Sequence, residues 1–250
     1  MTKQKEHDIN HITLTPEEEE RAKRINCEFA NARDLLKSKG VHNTIVMFGS
    51  ARINPASPDC NELARPYYEA ARELANRLAL WSKSECKKNP NEDKYYIVSG
   101  GGGGIMEAAN RGAKEAGEPT IGLNILLPFE QKVNPYVSDD LAISFHYFFI
   151  RKFYFAYFAK AIAVFPGGFG TMDELFEILT LAQTGKMQNN VPVVIFGKEF
   201  FSKFLNIDFL LEHGFIGKED QDLFLLTDDV NEAFLHITKN IRASKKLVHI

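Results

Sequence analysis

The sequence has few cysteines, no excess of positive charge and no long apolar run. Its three cysteines, at positions 27, 60 and 86, are odd in number and lack metal-ligand spacing, so we expect reduced thiols. A formal net charge of -3 lacks the basic surplus of nucleic-acid binders. No segment approaches the ~20 apolar residues of a membrane span, and the start of the chain lacks the apolar core of a signal peptide. We therefore expect a cytoplasmic protein that binds neither nucleic acid nor membranes.

Several catalytic motifs are also missing. Neither glycine run is followed by Gly-Lys-Ser or Gly-Lys-Thr, which argues against ATP hydrolysis. The seven histidines are scattered and His-Glu-x-x-His is absent, so we expect no metal site. Residues 100–104 fit the dinucleotide pattern G-x-G-x-x-G only if forced, and the following strand ends without the acidic residue that would hold a ribose. An NAD-dependent dehydrogenase is therefore the least favoured function.

Short apolar segments alternate with helical patterns along most of the chain. Thr15-Pro16 before a run of acids predicts the start of a first helix, which should end at Lys39. Strands are predicted at 44–48, 95–98, 120–125, 141–144, 161–165, 191–196 and 222–226, further helices at 62–81, 105–116, 146–159, from 171, at 199–211 and at 230–243, and a surface loop at 83–94. This alternation predicts an α/β fold, a doubly wound parallel sheet with helices on both faces. We expect an N-terminal tail and helical arm over residues 1–42 and a single domain over residues 43–250.

Three of the predicted strands end in small or glycine-rich loops, at 48–52, 99–104 and 166–171. In doubly wound sheets, ligands bind beyond the carboxyl ends of the strands, near the point where the strand order reverses. We therefore expect the three loops to converge on one anionic ligand of nucleotide size. The third loop opens a helix, whose N–H groups and partial positive charge suit a phosphate, and Thr171 is expected to cap that helix.

Charged residues lie next to this anion site. Arg151 and Lys152 belong to an aromatic segment, 145–158, directly before the strand that leads into the third loop. A guanidinium among aromatic side chains is costly to bury without an anion. That anion could be Glu174, in the helix after the loop, or a phosphate or ribose of a ligand. Arg151 could contact both partners if it and Glu174 face each other across the ligand.

Together these residues resemble the Lonely Guy (LOG) family of cytokinin-activating phosphoribohydrolases, part of a group often labelled lysine decarboxylases. The family signature, Arg-Lys followed by Pro-Gly-Gly-x-Gly-Thr-x-x-Glu, corresponds to Arg151-Lys152 and to residues 166–174, and residues 48–52 and 99–113 are similar as well. The resemblance covers roughly residues 43–200 and implies a Rossmann-like fold. It also implies hydrolysis of the N-glycosidic bond of a nucleoside 5′-monophosphate, AMP or a cytokinin riboside 5′-monophosphate, to free base and ribose 5-phosphate without a cofactor. A decarboxylase would need pyridoxal phosphate on a Schiff-base lysine, and only Lys152 is a candidate, with no supporting pattern.

The resemblance further implies roles for individual residues. Glu174 would stabilise positive charge on the ribose and direct water, and Arg151 would position the phosphoribosyl group or polarise the leaving side. Residues that would bind the substrate are Ser50, Gly101, Gly102, Gly103, Gly104, Glu107, Lys152, Gly167, Gly168, Gly170 and Thr171, of which the last four would hold the 5′-phosphate.

The family also forms homodimers with active sites near the interface, for which the aromatic residues 148–158 offer a surface. The alternative is a non-catalytic nucleotide or molybdenum-cofactor carrier of the same superfamily. Such a carrier would need the phosphate loop, but it would need neither Arg151 nor Glu174.

Overall fold

A computed structural model describes residues 15–55, 62, 64–127, 133–187 and 191–248. Within these residues, seven strands form one sheet: β1 (Asn43–Phe48), β2 (Tyr95–Ser99), β3 (Thr120–Ile125), β4 (Ala142–Phe145), β5 (Ala159–Val164), β6 (Val193–Phe196) and β7 (Phe224–Thr227). All neighbouring strands are parallel, in the order β4-β3-β2-β1-β5-β6-β7. The predicted doubly wound, Rossmann-like fold is confirmed. The predicted tail at 1–14 and Cys60 lie outside the described residues, and the domain boundary at residue 42 stays a prediction.

Helices cover both faces of the sheet. In the described residues they are α1 (Pro16–Ser38), α2 (Arg65–Lys88), α3 (Ile105–Glu115), α4 (Phe148–Tyr157), α5 (Phe169–Gln183), α6 (Lys198–Phe204), α7 (Ile207–Glu212) and α8 (Val230–Val248). Short 3₁₀ turns at Asp139–Leu141 and Lys218–Leu223 lead into β4 and β7. Among these residues, no helix is long and apolar enough to cross a membrane.

The central strand β1 shows why both faces are covered. Successive side chains of a strand point to opposite faces, and in β1 those on both faces are apolar. Ile45 and Met47 join the core cluster with α2, α3 and α8, whereas Val46 and Phe48 join the cluster with α1, α4, α5 and α6. Each of the four is buried, and burying one such side chain stabilises the fold by roughly 1.5–3 kcal/mol.

The N-terminal arm is a packed helix. The hydroxyl of Thr15 accepts from the N–H of Glu18, whose carboxylate accepts in return from the Thr15 N–H, so the predicted start of α1 is confirmed as a capping box. Ala32 and Leu36 are buried in the same cluster as α4 and α5. The arm therefore belongs to the layer that also contains the aromatic segment.

Two of the wrong sequence predictions concern α2 and the segment after β6. The segment predicted as a loop at 83–94 is helical as far as Lys88, because its polar side chains pair with one another and with a neighbouring helix: Glu85 pairs with Lys88 one turn later and with Arg242 of α8. The single helix predicted at 199–211 is two helices. Asn206 interrupts it, since its side-chain oxygen accepts from the Phe209 N–H and caps α7 instead of continuing α6.

The strand order locates the site. The chain builds outward from β1 to β4, then returns to place β5 on the other side of β1 before continuing to β7. The order therefore reverses between β1 and β5, and the crevice beyond their carboxyl ends is where such sheets bind ligands.

Candidate functional site

The loops that follow β1 and β5 are joined by backbone hydrogen bonds. The Phe165 N–H donates to the Phe48 carbonyl at 2.9 Å, and the Ser50 N–H donates to the Pro166 carbonyl at 3.0 Å. These bonds continue the strand pairing past the ends of the strands. The loop of Ser50 and the loop of Gly167 therefore lie side by side at the point of reversal.

The glycine run after β2 joins the same edge. The Ile105 N–H, at the start of α3, donates to the Ser50 carbonyl at 2.9 Å. Gly104 has φ of +64°, and a Cβ built on it would lie 2.1 Å from that carbonyl oxygen, so the close approach requires glycine. The three loops therefore meet at one edge of the sheet, and the anionic ligand expected there stays a prediction.

The helix after the third loop begins earlier than predicted. α5 starts at Phe169 with Gly168 as its N-cap, so Thr171 lies inside the first turn and is not the cap. No side chain caps this helix in the described structure, and its first turn contains no acid. Its first N–H groups are therefore available to an anion. A Cβ on Gly168 or Gly170 would meet nothing within 4 Å, which leaves open space above these N–H groups.

These elements enclose a cavity of ≈ 610 Å³. Seven of the residues predicted for the site line it, namely Ser50, Arg151, Gly167, Gly168, Gly170, Thr171 and Glu174. The cavity is thus lined by a helix N-terminus and by a buried cation and carboxylate. That combination suits a ligand with a phosphate at one end and a reacting bond at the other.

The other predicted residues do not line this cavity. They are Gly101, Gly102, Gly103, Gly104, Glu107 and Lys152. The carboxylate of Glu107 accepts from the Tyr68 hydroxyl at 3.0 Å, so it faces α2. The carbonyls of Gly101 and Gly102 accept from the backbone and side chain of Asn134. The described contacts of these residues are thus with the protein, and their role in substrate binding stays a prediction.

The sequence analysis missed a cation and most of the apolar wall. Arg52 lines the cavity two residues after Ser50, and its position in the first loop is a signal that could have identified it. The apolar lining residues outside the predicted set include Met106, Ile125, Leu127, Phe148, Phe155, Phe169, Met172 and Phe204. Phe204 comes from α6, which carries no motif, so only the fold could bring it here.

Arg151 and Glu174 meet at the cavity wall. The Nη2 atom of Arg151 lies 3.4 Å from Oε1 of Glu174, and both side chains are largely buried, with 14% and 8% exposed. The Arg151 guanidinium lies over the rings of Phe148 and Phe155, at 5.2 and 5.7 Å from their centroids. Its Nε is buried and has no hydrogen-bond partner among the described residues. The guanidinium therefore keeps donor capacity that a ligand in the cavity could use.

Lys152 shares the neighbour Glu174 with Arg151 but also contacts two further acids. Its Nζ lies 2.6 Å from Glu177, 2.9 Å from Asp173 and 3.4 Å from Glu174. The Lys152 ammonium thus forms ion pairs with three carboxylates of α5. Lys152 neutralises the acidic side of the helix and leaves Arg151 as the α4 cation that faces the cavity.

Burial and these charges shift the ionisation of all three groups. Burial raises the pKa of Glu174 above its ordinary value, against the opposing pull of Lys152 and Arg151. Burial also lowers the pKa of Arg151, although Glu174 and Asp173 act in the other direction. Burial would lower the pKa of Lys152, but hydrogen bonds to Glu177 and Asp173 outweigh it and raise that pKa. A carboxyl with a raised pKa in a cleft beside a specific cation is typical of functional sites.

The chain is similar in sequence to known proteins. A family model described as "Possible lysine decarboxylase" matches residues 106–237, more than half of the chain. The chain is 31% identical over 180 residues to the cytokinin riboside 5′-monophosphate phosphoribohydrolase LOG of Oryza sativa subsp. japonica, covering 70% of this chain and 67% of that protein. The chain belongs to the LOG family. It is also 29% identical over 147 residues to the probable phosphoribohydrolase LOG4 of the same rice, covering 57% of this chain and only 62% of that relative.

Solved structures share the fold of this LOG-family chain. The structure of a Moco carrier protein from Chlamydomonas reinhardtii superimposes with a TM-score of 0.51 and 22% identity, covering 80% of this chain and 98% of that one. At this identity the likeness shows the fold alone.

The description of the family as possible lysine decarboxylases raises the question of pyridoxal phosphate, which needs a lysine in the site. None of the described residues that line the cavity is a lysine. The pKa of Lys152 is raised by its carboxylate partners, which keeps it protonated and non-nucleophilic. The described residues of this LOG-family member therefore do not fit pyridoxal phosphate. They also contain no group of three or more His, Cys, Asp or Glu side chains that could hold a metal ion.

Proposed function

We propose that this protein is a phosphoribohydrolase that cleaves the N-glycosidic bond of nucleoside 5′-monophosphates, releasing the free base and ribose 5-phosphate. The contact that carries the proposal is the one between Arg151 and Glu174, 3.4 Å apart and buried beside the uncapped start of α5. A protein that only carried a nucleotide would need the helix start, whereas the buried carboxylate would repel a phosphate. Membership of the LOG family supports the same proposal.

The phosphate would bind at the third loop. The N–H groups of Gly168, Phe169 and Gly170 and the hydroxyl of Thr171 are the donors at the start of α5, and the helix dipole favours an anion there. The pair of Arg151 and Glu174 lines the same cavity, at the second turn of α5. A bound nucleotide would therefore extend from the loop toward Glu174, with its ribose near the carboxylate.

Glu174 would then act on the sugar. Breaking the bond between C1′ and the base nitrogen builds positive charge on the ribose, which a carboxylate stabilises. The same carboxylate can accept a proton from the water whose oxygen attacks C1′. The base departs with the electron pair of the broken bond and takes up a proton, so one water is consumed. Arg151 would orient the phosphoribosyl group with its free donors.

The aromatic wall would receive the base. Phe148, Phe155, Phe169 and Phe204 line the cavity together with Met106 and Leu127. Flat apolar surfaces stack on planar bases of any type. We propose AMP or a cytokinin riboside 5′-monophosphate as substrate.

The test is product analysis. We expect purified protein incubated with AMP to release adenine and ribose 5-phosphate, separated by chromatography, without added cofactor. Glu174→Gln and Arg151→Ala should each reduce base release about 10²–10⁴-fold while thermal unfolding stays cooperative. Asp173→Asn is the matched control, because it removes the adjacent acid of α5, whose side chain is 62% exposed. The control should keep most of the activity.

One result would argue against the hydrolase and another against the role of Glu174. A protein that binds AMP and returns it intact would be a nucleotide or molybdenum-cofactor carrier, the alternative function. Undiminished activity in Glu174→Gln would remove the catalytic assignment even if the reaction is observed. Screening other nucleoside monophosphates in the same assay would identify the preferred base.

We also propose that the protein acts as a homodimer joined through α4. Phe148, Phe149, Phe153 and Tyr157 of this helix are 38–56% exposed, although apolar side chains are normally buried together. Phe148 is both exposed and part of the cavity wall. A partner on this face would therefore lie next to the site.

A further inference from the structure

The start of α4, the helix that carries Arg151 and Lys152, lacks a cap within its own sequence. The Tyr147 side chain at its N-cap accepts no backbone hydrogen bond, and its first turn has no acid. Arg151 is the fourth residue of this helix, so it brings positive charge close to the positive end of the helix dipole. The helix has only ten residues, and short helices depend on packing and capping. α4 therefore needs a negative partner from elsewhere in the chain.

Glu28 of the N-terminal arm provides that partner. Its Oε2 accepts from the His146 N–H at 2.9 Å, and its Oε1 accepts from the Tyr147 N–H at 3.1 Å. Both oxygens of one carboxylate thus bind the backbone that enters α4. The residues are 118 and 119 positions apart in sequence, so the contact depends on the docking of α1.

Other contacts hold Glu28 in place. The Phe29 ring lies 4.9 Å from the Phe153 ring and 5.5 Å from the Tyr154 ring, measured between centroids. The Tyr154 hydroxyl donates to the Phe29 carbonyl. At the far end of the arm, the ammonium of Lys39 lies 2.7 Å from the Asp140 carboxylate. The carboxylate of Glu28 is therefore held by a helix that is itself fixed to α4 and to the turn before β4.

The capped backbone is bonded directly to Arg151. The first hydrogen bond of α4 runs from the Arg151 N–H to the Tyr147 carbonyl and is 3.3 Å long, longer than the usual 2.9–3.0 Å. A shift of Tyr147 would therefore move or release the backbone of Arg151. Glu28 does not line the cavity, so any effect on a ligand must pass through this helix start.

We propose that the N-terminal arm is a positioning element of the site, in which Glu28 caps α4 and thereby holds Arg151 at the cavity. Its effect on base release rests on the function proposed above, whereas its effect on α4 does not. Loss of the Glu28 carboxylate loosens the first turn of α4 and displaces Arg151, while the sheet is unaffected.

Hydrogen exchange followed by mass spectrometry tests this in the full-length chain. In Glu28→Ala, amides of residues 148–157 should exchange about 2- to 30-fold faster than in the wild type, the range that corresponds to losing a helix cap. Glu28→Gln should lie between the two, because its amide oxygen can still accept one N–H. Glu20→Gln is the matched control on the same helix, since Glu20 pairs only with Arg24 in the described contacts. It should leave α4 unchanged.

Kinetics separate positioning from general stability. Glu28→Ala should lower kcat/KM for AMP more than Glu28→Gln does. The thermal midpoints of both variants should stay close to that of the wild type. Unchanged exchange over α4, equal acceleration throughout the sheet, or an active wild type whose kcat/KM survives Glu28→Ala would each overturn the proposal. Hydrogen exchange is measured without nucleotide and therefore does not depend on the proposed activity. A wild type that releases no base would count against the hydrolase, but the exchange over α4 would still decide whether Glu28 caps this helix.

Discussion

Arg151 and Lys152 are adjacent in sequence, but only Arg151 lines the cavity, and Lys152 pairs with the acids of α5. Neighbouring residues of a helix point about 100° apart, so one turns to the cavity and the other to the acids of α5. Arg151 meets one carboxylate at 3.4 Å, whereas Lys152 meets three within the same distance. Lys152 therefore acts on the ionisation of Glu174, lowering its pKa against the larger effect of burial, without lining the cavity itself.

Replacing Lys152 should change the pH dependence of the reaction. Burial raises the pKa of Glu174, and Lys152 is the strongest opposing charge. Lys152→Met removes that charge, so the pKa of Glu174 should rise further. If the ionised carboxylate is the working form, activity falls as pH drops through this pKa, and the acidic limb of kcat/KM should move to higher pH.

The control is Lys203→Met, which removes a lysine paired with Glu199 on α6, away from the acids of α5. Its profile should match that of the wild type. Lys152→Arg keeps the positive charge and should shift the limb less than Lys152→Met does. An acidic limb that stays in place in Lys152→Met would show that Glu174 does not control it.

At this scale the sequence predicted the pair but not the rest of the wall. Arg151 and Glu174 were identifiable because an arginine in an aromatic segment and an acid beside an anion site both need partners. The three-carboxylate environment of Lys152 depends on how α4 packs against α5, and Phe204 reaches the cavity only through the position of α6. Both features join residues that are distant in sequence, so no spacing pattern could have predicted them.

Among the elements, the third loop contains two adjacent glycines with opposite surroundings. A Cβ on Gly167 would lie 2.1 Å from Oγ1 and 2.6 Å from Cβ of Thr171, and 3.0 Å from the Ser50 backbone nitrogen. A Cβ on Gly168 would meet no atom within 4 Å, and its φ of -92° is allowed for alanine. Both glycines line the cavity, but Gly167 is packed closely against the protein's own atoms, whereas Gly168 faces open space.

This contrast predicts different outcomes for the two alanine variants. Gly167→Ala should reduce the free energy of unfolding by about 1–3 kcal/mol, because the added methyl group overpacks the loop. Gly168→Ala should leave thermal stability nearly unchanged and weaken AMP binding, measured by calorimetry, since its methyl group enters the space proposed for the phosphate. If Gly168→Ala binds AMP like the wild type, the phosphate lies elsewhere.

Element boundaries show where sequence patterns stop being informative. The strands were predictable because apolar runs between helical patterns have few other uses in an α/β protein. The break between α6 and α7 was not predictable. Asn206 ends one helix and begins the next through its bond to the Phe209 N–H, and that bond cannot be read from the sequence. Likewise α5 begins at Phe169 with Gly168 as its N-cap, two residues before Thr171, although threonine is the stronger N-cap residue.

For the whole molecule, the order of the strands converts separate motifs into one site. The loops at 48–52, 99–104 and 166–171 are far apart in sequence and have no local reason to meet, yet β1 lies between β2 and β5 in the sheet. The same order places α1, α4 and α5 in one layer, so the arm, the aromatic helix and the phosphate loop share a face. That face carries the exposed aromatic side chains and is the surface proposed for the dimer.

A single charged substitution on this face should separate the proposed dimer. Phe149 is 56% exposed and does not line the cavity, so Phe149→Glu should leave the fold and the cavity wall intact. In a symmetric dimer the substitution appears twice, and each apolar side chain buried contributes roughly 1.5–3 kcal/mol, which corresponds to a dimer weakened at least about 100-fold. Sedimentation velocity should show a dimer for the wild type and a monomer for Phe149→Glu. The control is Phe215→Glu, which changes a 69% exposed phenylalanine near α7 and should stay a dimer. Because Phe148 links this face to the cavity, the monomer should also bind AMP more weakly; a dimer that persists in Phe149→Glu would move the interface off α4.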